Sequence, residues 1–325
     1  MKQSKFTVLI THAIPRPGLE RLFEECRVFY PPEGQPAFSR EEMMRLLPEC
    51  DAVLAGGEMS REMIERADRL KIISNYGAGY DRVDVGAADG AGVIVTNIPA
   101  STTDSTAEIA FALMLDVRRR MTELDRMIRT GPSEKAFGMG RHMGHNLRGS
   151  TLGIVGMGRI GNRLREMAEA FGMNVLYHNR RKIPGMESGW REMDALLMEA
   201  DVVSLNCPLT EETRGLMGRE AFSKMRKGAV LVNTSRGGVV DTDALIEALA
   251  DGTLSGAGLD VYPNEPEVPE ALAQMENVVL TPHIGTNTHE ARKGMAEAAA
   301  ERILAVRDGK TPENIVNRNL HKREE

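Results

Sequence analysis

The sequence predicts an α/β protein made of two parallel sheets covered by helices, and three observations support this fold class. Short apolar runs alternate with helical patterns along the chain, which is typical of strand, crossover helix and parallel strand. The length of 325 residues suits two domains rather than one. A glycine loop at mid-chain, residues 156–161 (GMGRIG), joins an apolar run to a helical pattern. We therefore expect one unit to bind a ligand at this loop.

The first unit is predicted from apolar runs in the N-terminal third of the chain. A helix there is expected to begin at a capping box, Ser39-Arg40-Glu41-Glu42, because a serine followed three residues later by a glutamate satisfies two backbone N–H groups. The unit is expected to end near residue 99. Its expected strands are 8–10, 52–54, 71–73 and 93–95.

The second unit is predicted to be inserted in the first. A long helix is expected after Pro99, with Asp104, Ser105 or Thr106 as its cap, running toward Met121. A helix over residues 287–308 is expected to return the chain to the first unit. The expected domains are 1–99 with 288–325 for the substrate and 100–287 for the dinucleotide. The strands expected in the second unit are 151–155, 174–177, 202–205, 229–233, 258–261 and 278–281.

The glycine loop predicts a dinucleotide site. Gly156 permits a tight turn, Gly158 lets backbone approach a pyrophosphate, and Gly161 allows close packing of helix on strand. The phosphate charge would meet the N-terminus of the helix. The expected contacts in the loop are Gly156, Gly158, Arg159, Ile160 and Gly161.

The strand after the loop indicates which dinucleotide binds. It ends in His178-Asn179-Arg180-Arg181-Lys182, and neither Asp nor Glu occurs between Asn174 and Gly185. NAD sites usually place an acid here for the ribose, whereas arginines suit a 2′-phosphate. NADP(H) is therefore favoured, NAD(H) stays open, and Asn179, Arg180 and Arg181 are expected contacts. The alternative is a solvated basic turn.

Composition excludes several classes of function. Fractions of 42% hydrophobic and 27% charged residues are ordinary for a soluble globular protein. The formal net charge of −6 disfavours a nucleic-acid partner, which usually needs a basic face. No apolar stretch is long enough for a bilayer, and residues 1–5 run into a strand rather than a signal-peptide core. A cytoplasmic protein with no membrane partner is expected.

The three cysteines, Cys26, Cys50 and Cys207, have neither disulfide nor metal-ligand spacing, so we expect reduced thiols and no metal site. Cys207 follows a strand, but no histidine or acid beside it in the sequence would activate it as a nucleophile.

Three polar residues follow strands of the second unit, where ligands of such sheets bind. Arg236, flanked by Ser235 and glycine, has a planar fork suited to a carboxylate. His283 suits proton transfer near neutral pH, and a carboxylate such as Glu265 beside it would favour the imidazolium. Each residue alone has an ordinary alternative: a surface ion pair, a solvated acid or a core histidine. Their common placement favours a catalytic site.

Seven ordered segments over nearly the whole chain resemble the D-isomer-specific 2-hydroxyacid dehydrogenase family, in particular its glyoxylate/hydroxypyruvate reductase branch. The resemblance implies two Rossmann-like/flavodoxin-like domains and a homodimer formed through the helix after Pro99 and the segment to about residue 150. The segments are 75–81 (NYGAGYD), 96–99 (TNIP), 156–161 (GMGRIG), 208–213 (PLTEET), 233–237 (NTSRG), 258–261 (GLDV) and 282–285 (PHIG).

The resemblance also implies roles for individual residues. Arg236 would hold the substrate carboxylate and polarise the keto oxygen, His283 would donate the proton during hydride transfer, and Glu265 would keep His283 protonated. The backbone N–H groups around Ala78 and Gly79 would bind the carboxylate from the other domain. Asp260 would lie near the nicotinamide carboxamide. The residues expected to border the cofactor are Thr103, Cys207, Pro208, Thr213, Thr234, Ser235, Asp260 and Gly285.

The expected activity is NADPH-dependent reduction of a small 2-keto acid, such as glyoxylate or hydroxypyruvate, to the D-2-hydroxy acid. A bulkier 2-keto acid or keto sugar acid is an alternative substrate, and a dinucleotide-sensing co-repressor is an alternative function. Relatives often place a tryptophan within the segment that corresponds to residues 133–145, which has none here. Arg141 or His142 would favour a more polar or anionic substrate, and a solvated loop is the alternative.

Overall fold

The computed structural model describes residues 5–317 and confirms the predicted class, two α/β units with wholly parallel sheets. The strands are β1 Thr7–Ile10, β2 Arg27–Phe29, β3 Ala52–Ala55, β4 Ile72–Asn75, β5 Ile94–Thr96, β6 Thr151–Val155, β7 Asn174–His178, β8 Val202–Leu205, β9 Ala229–Asn233, β10 Leu254–Leu259 and β11 Val278–Leu280. The α-helices are α1 Glu20–Glu25, α2 Arg40–Leu46, α3 Arg61–Glu65, α4 Val85–Ala91, α5 Thr103–Arg119, α6 Met121–Thr130, α7 Arg159–Ala170, α8 Met193–Glu199, α9 Arg219–Lys224, α10 Thr242–Ala250, α11 Glu270–Ala273 and α12 His289–Arg307. None of the helices described is both long and apolar enough to cross a membrane.

The chain divides into two compact units. One contains the residues up to Thr102 and from Asn287 onward, and the other is Thr103–Thr286, inserted between them. Both divisions fall within a few residues of the boundaries expected from the sequence. The assignment of substrate binding to the first unit and dinucleotide binding to the second stays a prediction.

The first unit has a five-stranded sheet in the order β2-β1-β3-β4-β5. Val8 and Ile10 of β1 pack against α12, whereas Leu9 points to the opposite face and the cluster that includes Met63 and Ala87. Helices thus cover both faces, which explains the fully buried runs of β1, β3 and β4. The sequence did not predict β2, because it is three residues long and partly exposed at the sheet edge.

The capping box predicted for α2 is confirmed. The Glu42 backbone N–H donates to Ser39 Oγ at 3.2 Å, and the Ser39 backbone N–H donates to Glu42 Oε2 at 2.7 Å. Both groups would otherwise lack a partner at the helix N-terminus.

The second unit has a six-stranded sheet in the order β11-β10-β9-β8-β6-β7. After β6 the chain pairs with β7 on one side and then crosses to β8 on the other. The strand order therefore reverses at β6, and a ligand crevice is expected outside its carboxyl end. The glycine loop begins there, directly after Val155.

The structure corrects two predicted element boundaries in this unit. Helix α5 begins at Thr103, so Asp104, Ser105 and Thr106 lie in its first turn rather than at its cap, and it ends before Arg120, whose φ is 56°. Strand β10 covers Leu254–Leu259 rather than 258–261. A Cβ at Gly256 would lie 2.6 Å from the Val117 side chain and one at Gly258 would lie 2.8 Å from the Leu113 side chain, so close packing of α5 accounts for these glycines.

Candidate active site

The glycine loop has the geometry expected of a phosphate-binding turn. Gly156 has φ of +98°, and a Cβ there would lie 2.7 Å from the backbone at Asn206 and Cys207. A Cβ at Gly161 would lie 2.5 Å from the Gly156 carbonyl oxygen, so α7 packs directly on the turn. Gly158, the N-cap of α7, has no atom within 4 Å of its Cβ position. The open side of the loop thus lies where a pyrophosphate would approach the helix N-terminus.

Two buried polar atoms at the same edge of the sheet as this loop fit a bound dinucleotide. Within the described chain Thr234 Oγ1 and Asn206 Oδ1 have no hydrogen-bond partner. They follow β9 and β8, which are neighbours in the sheet. An unsatisfied buried polar group costs about 1–3 kcal/mol, and a ligand with hydroxyl or amide groups would remove that cost. The sequence analysis missed Asn206, although a polar residue directly after the apolar run of β8 was the available signal.

Asn179 stabilises the loop. Its Oδ1 accepts the Met157 backbone N–H at 2.7 Å, and its Nδ2 donates to the Met157 carbonyl at 3.4 Å. The side chain predicted to contact the cofactor therefore connects the end of β7 to the glycine turn. These hydrogen bonds hold the backbone at Asn179 and so fix the starting point of the basic turn that follows it.

The basic turn after β7 is exposed, and Trp190 contacts residues at both ends of it. Arg180 and Arg181 are both exposed. The hydrogen bond from the Thr210 hydroxyl, then that from the Glu212 backbone, and last the charge of Arg180 lower the pKa of Glu212. Trp190 Nε1 donates to the Asn179 carbonyl at 3.0 Å, and Lys182 Nζ lies 4.6 Å from the indole centroid. The backbone on either side of Arg180 and Arg181 is thus held by Trp190, while the two guanidinium groups are exposed.

Arg236 follows β9 in a turn that Asn233 holds. Asn233 Oδ1 accepts the Ser235 backbone N–H at 3.0 Å and the Ser235 hydroxyl at 2.8 Å, and Asn233 Nδ2 donates to the Arg236 carbonyl at 2.9 Å. Arg236 Nη1 donates to the Ser235 carbonyl at 2.7 Å. The half-buried guanidinium thus has a set direction, and its planar fork has the geometry that suits a carboxylate.

Gly237 brings the Arg236 turn against the loop that carries Glu265. A Cβ at Gly237 would lie 2.0 Å from the Tyr262 carbonyl carbon and 2.3 Å from Pro263 N. No side chain fits there, so the two backbones touch. The Tyr262 backbone N–H in turn donates to Glu265 Oε1 at 3.1 Å.

The other oxygen of Glu265 contacts His283, which follows β11. Glu265 Oε2 lies 2.8 Å from His283 Nδ1. The Glu265 side chain is 18% exposed and that of His283 is 45% exposed. The acid is therefore mostly buried, whereas a ligand can reach the imidazole. A carboxylate on Nδ1 accepts the N–H of that nitrogen and leaves Nε2 for a substrate.

Asp260 fixes the backbone around His283. This carboxylate is 1% exposed; Oδ1 accepts the Thr281 hydroxyl at 2.7 Å and the Ile284 N–H at 2.8 Å, and Oδ2 accepts the Gly285 N–H at 2.9 Å. These contacts hold His283 at a φ of 52°, which is unfavourable for a residue with a Cβ. The predicted contact of Asp260 with the cofactor stays a prediction.

The remaining residues predicted to border the cofactor occupy the same unit. Cys207 is buried, and burial raises the pKa of its thiol. The Thr213 hydroxyl donates to the Pro208 carbonyl at 2.6 Å and so closes a turn after β8. Thr103 is the first residue of α5, and the Gly285 carbonyl accepts the Thr106 hydroxyl at 3.2 Å.

The predicted carboxylate-binding residues Ala78 and Gly79 follow β4 in the first unit. Asn75 Nδ2 donates to the Gly79 carbonyl at 2.9 Å, and Asn97 Nδ2 donates to the Ala78 carbonyl at 2.7 Å. Both carbonyls are thus satisfied by asparagine side chains. Among the described residues, none accepts a hydrogen bond from the backbone N–H of Ala78 or Gly79. An anion can bind there only if these two donors are available.

The segment 133–145 is a largely exposed loop whose basic residues contact its own backbone. His142 Nε2 lies 3.2 Å from the Lys135 carbonyl oxygen, and Arg141 Nη1 lies 3.5 Å from the same atom. Phe137 and Met139 are 69% and 106% exposed. Whether Arg141 or His142 contacts the substrate or belongs to a solvated loop therefore stays a prediction.

Comparison with known proteins identifies the family. The family model described as D-isomer specific 2-hydroxyacid dehydrogenase, NAD binding domain, matches residues 111–285. The glyoxylate reductase of Thermococcus litoralis is 42% identical, over 96% of this chain and 97% of that protein. The crystal structure of a glyoxylate reductase from Paecilomyes thermophila has a TM-score of 0.86 at 33% identity, over 97% of this chain and 99% of that one.

A further solved structure contains ligands. The NADPH-dependent glyoxylate/hydroxypyruvate reductase of Sinorhizobium meliloti, in complex with NADP and malonate, has a TM-score of 0.86 at 29% identity, over 96% of this chain and 97% of that one. These matches confirm the predicted resemblance. The chain belongs to the D-isomer specific 2-hydroxyacid dehydrogenase family.

Proposed function

We propose that this protein reduces a small 2-keto acid, with glyoxylate and hydroxypyruvate as first candidates, to the D-2-hydroxy acid with NADPH. The observation that carries the proposal is the 2.8 Å contact between Glu265 and His283 beside the Arg236 turn, in the unit that matches an NAD-binding domain. The names of the relatives from Thermococcus litoralis and Sinorhizobium meliloti support this substrate class.

Each of the three residues has a role that follows from its position. Arg236 binds the substrate carboxylate through its planar fork and polarises the neighbouring keto oxygen. His283 gives the proton on Nε2 to that oxygen as the C=O bond becomes C–OH. Glu265, held at Oε1 by the Tyr262 N–H, stabilises the imidazolium before the transfer. The bound dinucleotide supplies the hydride that the carbonyl carbon accepts.

The glycine loop would hold the pyrophosphate, and Thr234 and Asn206, at the same edge of the sheet, each offer a buried oxygen that has no hydrogen-bond partner among the described residues. Arg180 and Arg181 would bind a 2′-phosphate, and β7 has no carboxylate at its end that would repel one. This arrangement supports NADP(H) over NAD(H).

We propose a homodimer formed through residues 100–150. Met121, Ile128 and Met143 are 56%, 48% and 74% exposed, together with Phe137 and Met139, so much of the exposed apolar surface of the second unit lies in one segment. Such patches usually mark interfaces. Sedimentation at micromolar concentration should give twice the monomer mass, and a monomer there would refute the dimer.

A steady-state screen tests the proposed function. Purified protein is assayed with glyoxylate, hydroxypyruvate, pyruvate and a bulkier keto sugar acid, each with NADPH and with NADH, and chiral analysis identifies the product. We expect turnover of the small keto acids with a higher kcat/KM for NADPH and formation of the D-isomer. Preference for NADH would refute the cofactor proposal, and absence of any turnover would refute the activity.

A further inference from the structure

The strand order predicts a ligand crevice in the first unit as well. In its sheet the chain leaves β1, pairs with β2 on one side and then crosses to β3 on the other. In open parallel sheets ligands bind outside the carboxyl ends of the strands where the order reverses, here between β1 and β3. His12 follows β1, and Gly56 and Gly57 follow β3 at this point.

The two glycines make room for the His12 ring. A Cβ at Gly56 would lie 2.9 Å from His12 Cγ and Nδ1, and a Cβ at Gly57 would lie 2.8 Å from Cε1. Neither glycine has the positive φ that would itself require glycine. Glycine is needed at both positions because the imidazole lies across the end of β3 and fills the space that side chains at Gly56 and Gly57 would take.

Thr11 fixes the orientation of this ring. Thr11 Oγ1 accepts the Gly56 backbone N–H at 2.9 Å and lies 2.8 Å from His12 Nδ1. In the tautomer in which the threonine hydroxyl donates to Nδ1, the imidazole proton is on Nε2. Burial, and secondarily the charge of Arg82, lower the pKa of His12, so the neutral ring prevails. No described residue accepts a hydrogen bond from Nε2.

His12 and the residues expected to bind the substrate carboxylate lie at the same edge of this sheet. Ala78 and Gly79 follow β4, and the His12 ring extends from the end of β1 across the end of β3, the strand between β1 and β4. A small acid held at its carboxylate by the N–H groups of Ala78 and Gly79 would thus direct its other end toward His12.

We propose that His12 is a specificity-determining residue whose Nε2–H binds an oxygen on C3 of the substrate. The preferred class is 2-keto acids with a hydroxyl or other oxygen on C3, over those with a methyl group or no C3. This inference rests on the proposed function, since it concerns the same reaction. A site built to bind a hydroxyl discriminates strongly against the analogue without it.

Hydroxypyruvate and pyruvate differ by this hydroxyl alone, so their ratio of kcat/KM is the measurement. His12→Asn and His12→Gln form a matched pair: the asparagine amide reaches the position of Nδ1 only, and the glutamine amide reaches the position of Nε2. With saturating NADPH, we expect His12→Asn to lower the preference for hydroxypyruvate roughly tenfold or more, mainly through KM. His12→Gln should keep most of it, and pyruvate kinetics should change little.

The outcomes separate the two proposals. Equal preference in the wild type and in His12→Asn would overturn the role of His12, and so would an equal loss of activity on both substrates in both variants. If the wild type reduces no 2-keto acid at all, the proposed function fails, and this inference fails with it. Thermal unfolding curves verify that both variants fold.

Discussion

The carboxylate of Glu265 is fixed at both oxygens: Oε1 accepts the Tyr262 backbone N–H at 3.1 Å, and Oε2 lies 2.8 Å from His283 Nδ1. The histidine itself is held at a φ of 52° by the contacts of Asp260 with the next two residues. Acid and imidazole therefore meet with little freedom on either side. Such preorganisation directs Nε2 toward one place, as a proton donor requires.

Arg236→Lys tests whether the planar fork is needed. A lysine keeps the charge, but its point-like ammonium cannot bind a carboxylate through two parallel hydrogen bonds. We expect KM for the keto acid to rise and kcat to fall, with kcat/KM reduced on the order of 10²-fold. Steady-state kinetics with the best substrate measure both. Kinetics within about twofold of the wild type would show that charge alone suffices.

Arg180→Ala with Arg181→Ala tests phosphate recognition. Each charge-assisted hydrogen bond lost is worth about 1.5–3 kcal/mol, so KM for NADPH should rise at least tenfold while KM for NADH changes little. Arg219→Ala, which removes an exposed arginine paired with Glu247 in the same unit, is the control. Equal rises for both cofactors would place phosphate recognition elsewhere.

Trp190→Phe tests whether the basic turn must be held in shape. The substitution keeps an aromatic ring beside Lys182 but removes the N–H that donates to the Asn179 carbonyl at 3.0 Å. Loss of one neutral hydrogen bond, about 0.5–1.5 kcal/mol, should reduce the preference for NADPH over NADH about two- to tenfold. A structural role alone would lower the melting temperature and leave this ratio unchanged.

The cysteines should react slowly with thiol reagents. All three are buried; burial raises the pKa of Cys26 and Cys207, and that of Cys50 to about 12. A raised pKa means less thiolate at neutral pH, so labelling should be slow at pH 7 and accelerate as pH rises toward these values. Labelling with a chromogenic disulfide measures the rate, and the unfolded protein is the control. Fast labelling of Cys207 at pH 7 would contradict the assignment of an unreactive thiol.

Much of the fold could be predicted because buried parallel strands are continuous apolar runs, as in Ala229–Asn233. Strand β10 was placed too late in the chain because residues 254–257 (LSGA) do not form a continuous apolar run. The edge strand β2 was missed because pairing, not hydrophobicity, defines it. Local patterns do not report such tertiary contacts.

Only part of the candidate site could be predicted, again because a sequence pattern does not show which residues meet in three dimensions. Arg236, Glu265 and His283 stand out as polar residues after strands, and the structure brings the last two into contact. That Asn179 would turn inward to Met157, or that Asn206 would be left without a partner at Oδ1, depends on three-dimensional neighbours. His12 was missed because its slot is made by Gly56 and Gly57, distant in sequence.

The most direct test of the account is the turnover of His283→Gln with NADPH and the best 2-keto acid, measured beside the dissociation constant for NADPH. Glutamine keeps a hydrogen-bonding side chain of similar reach but cannot transfer a proton as an acid. The account predicts that kcat falls about 10²- to 10⁴-fold while NADPH binding is unchanged. Reduction at the wild-type rate by a folded, NADPH-binding variant would contradict the role of His283 as proton donor.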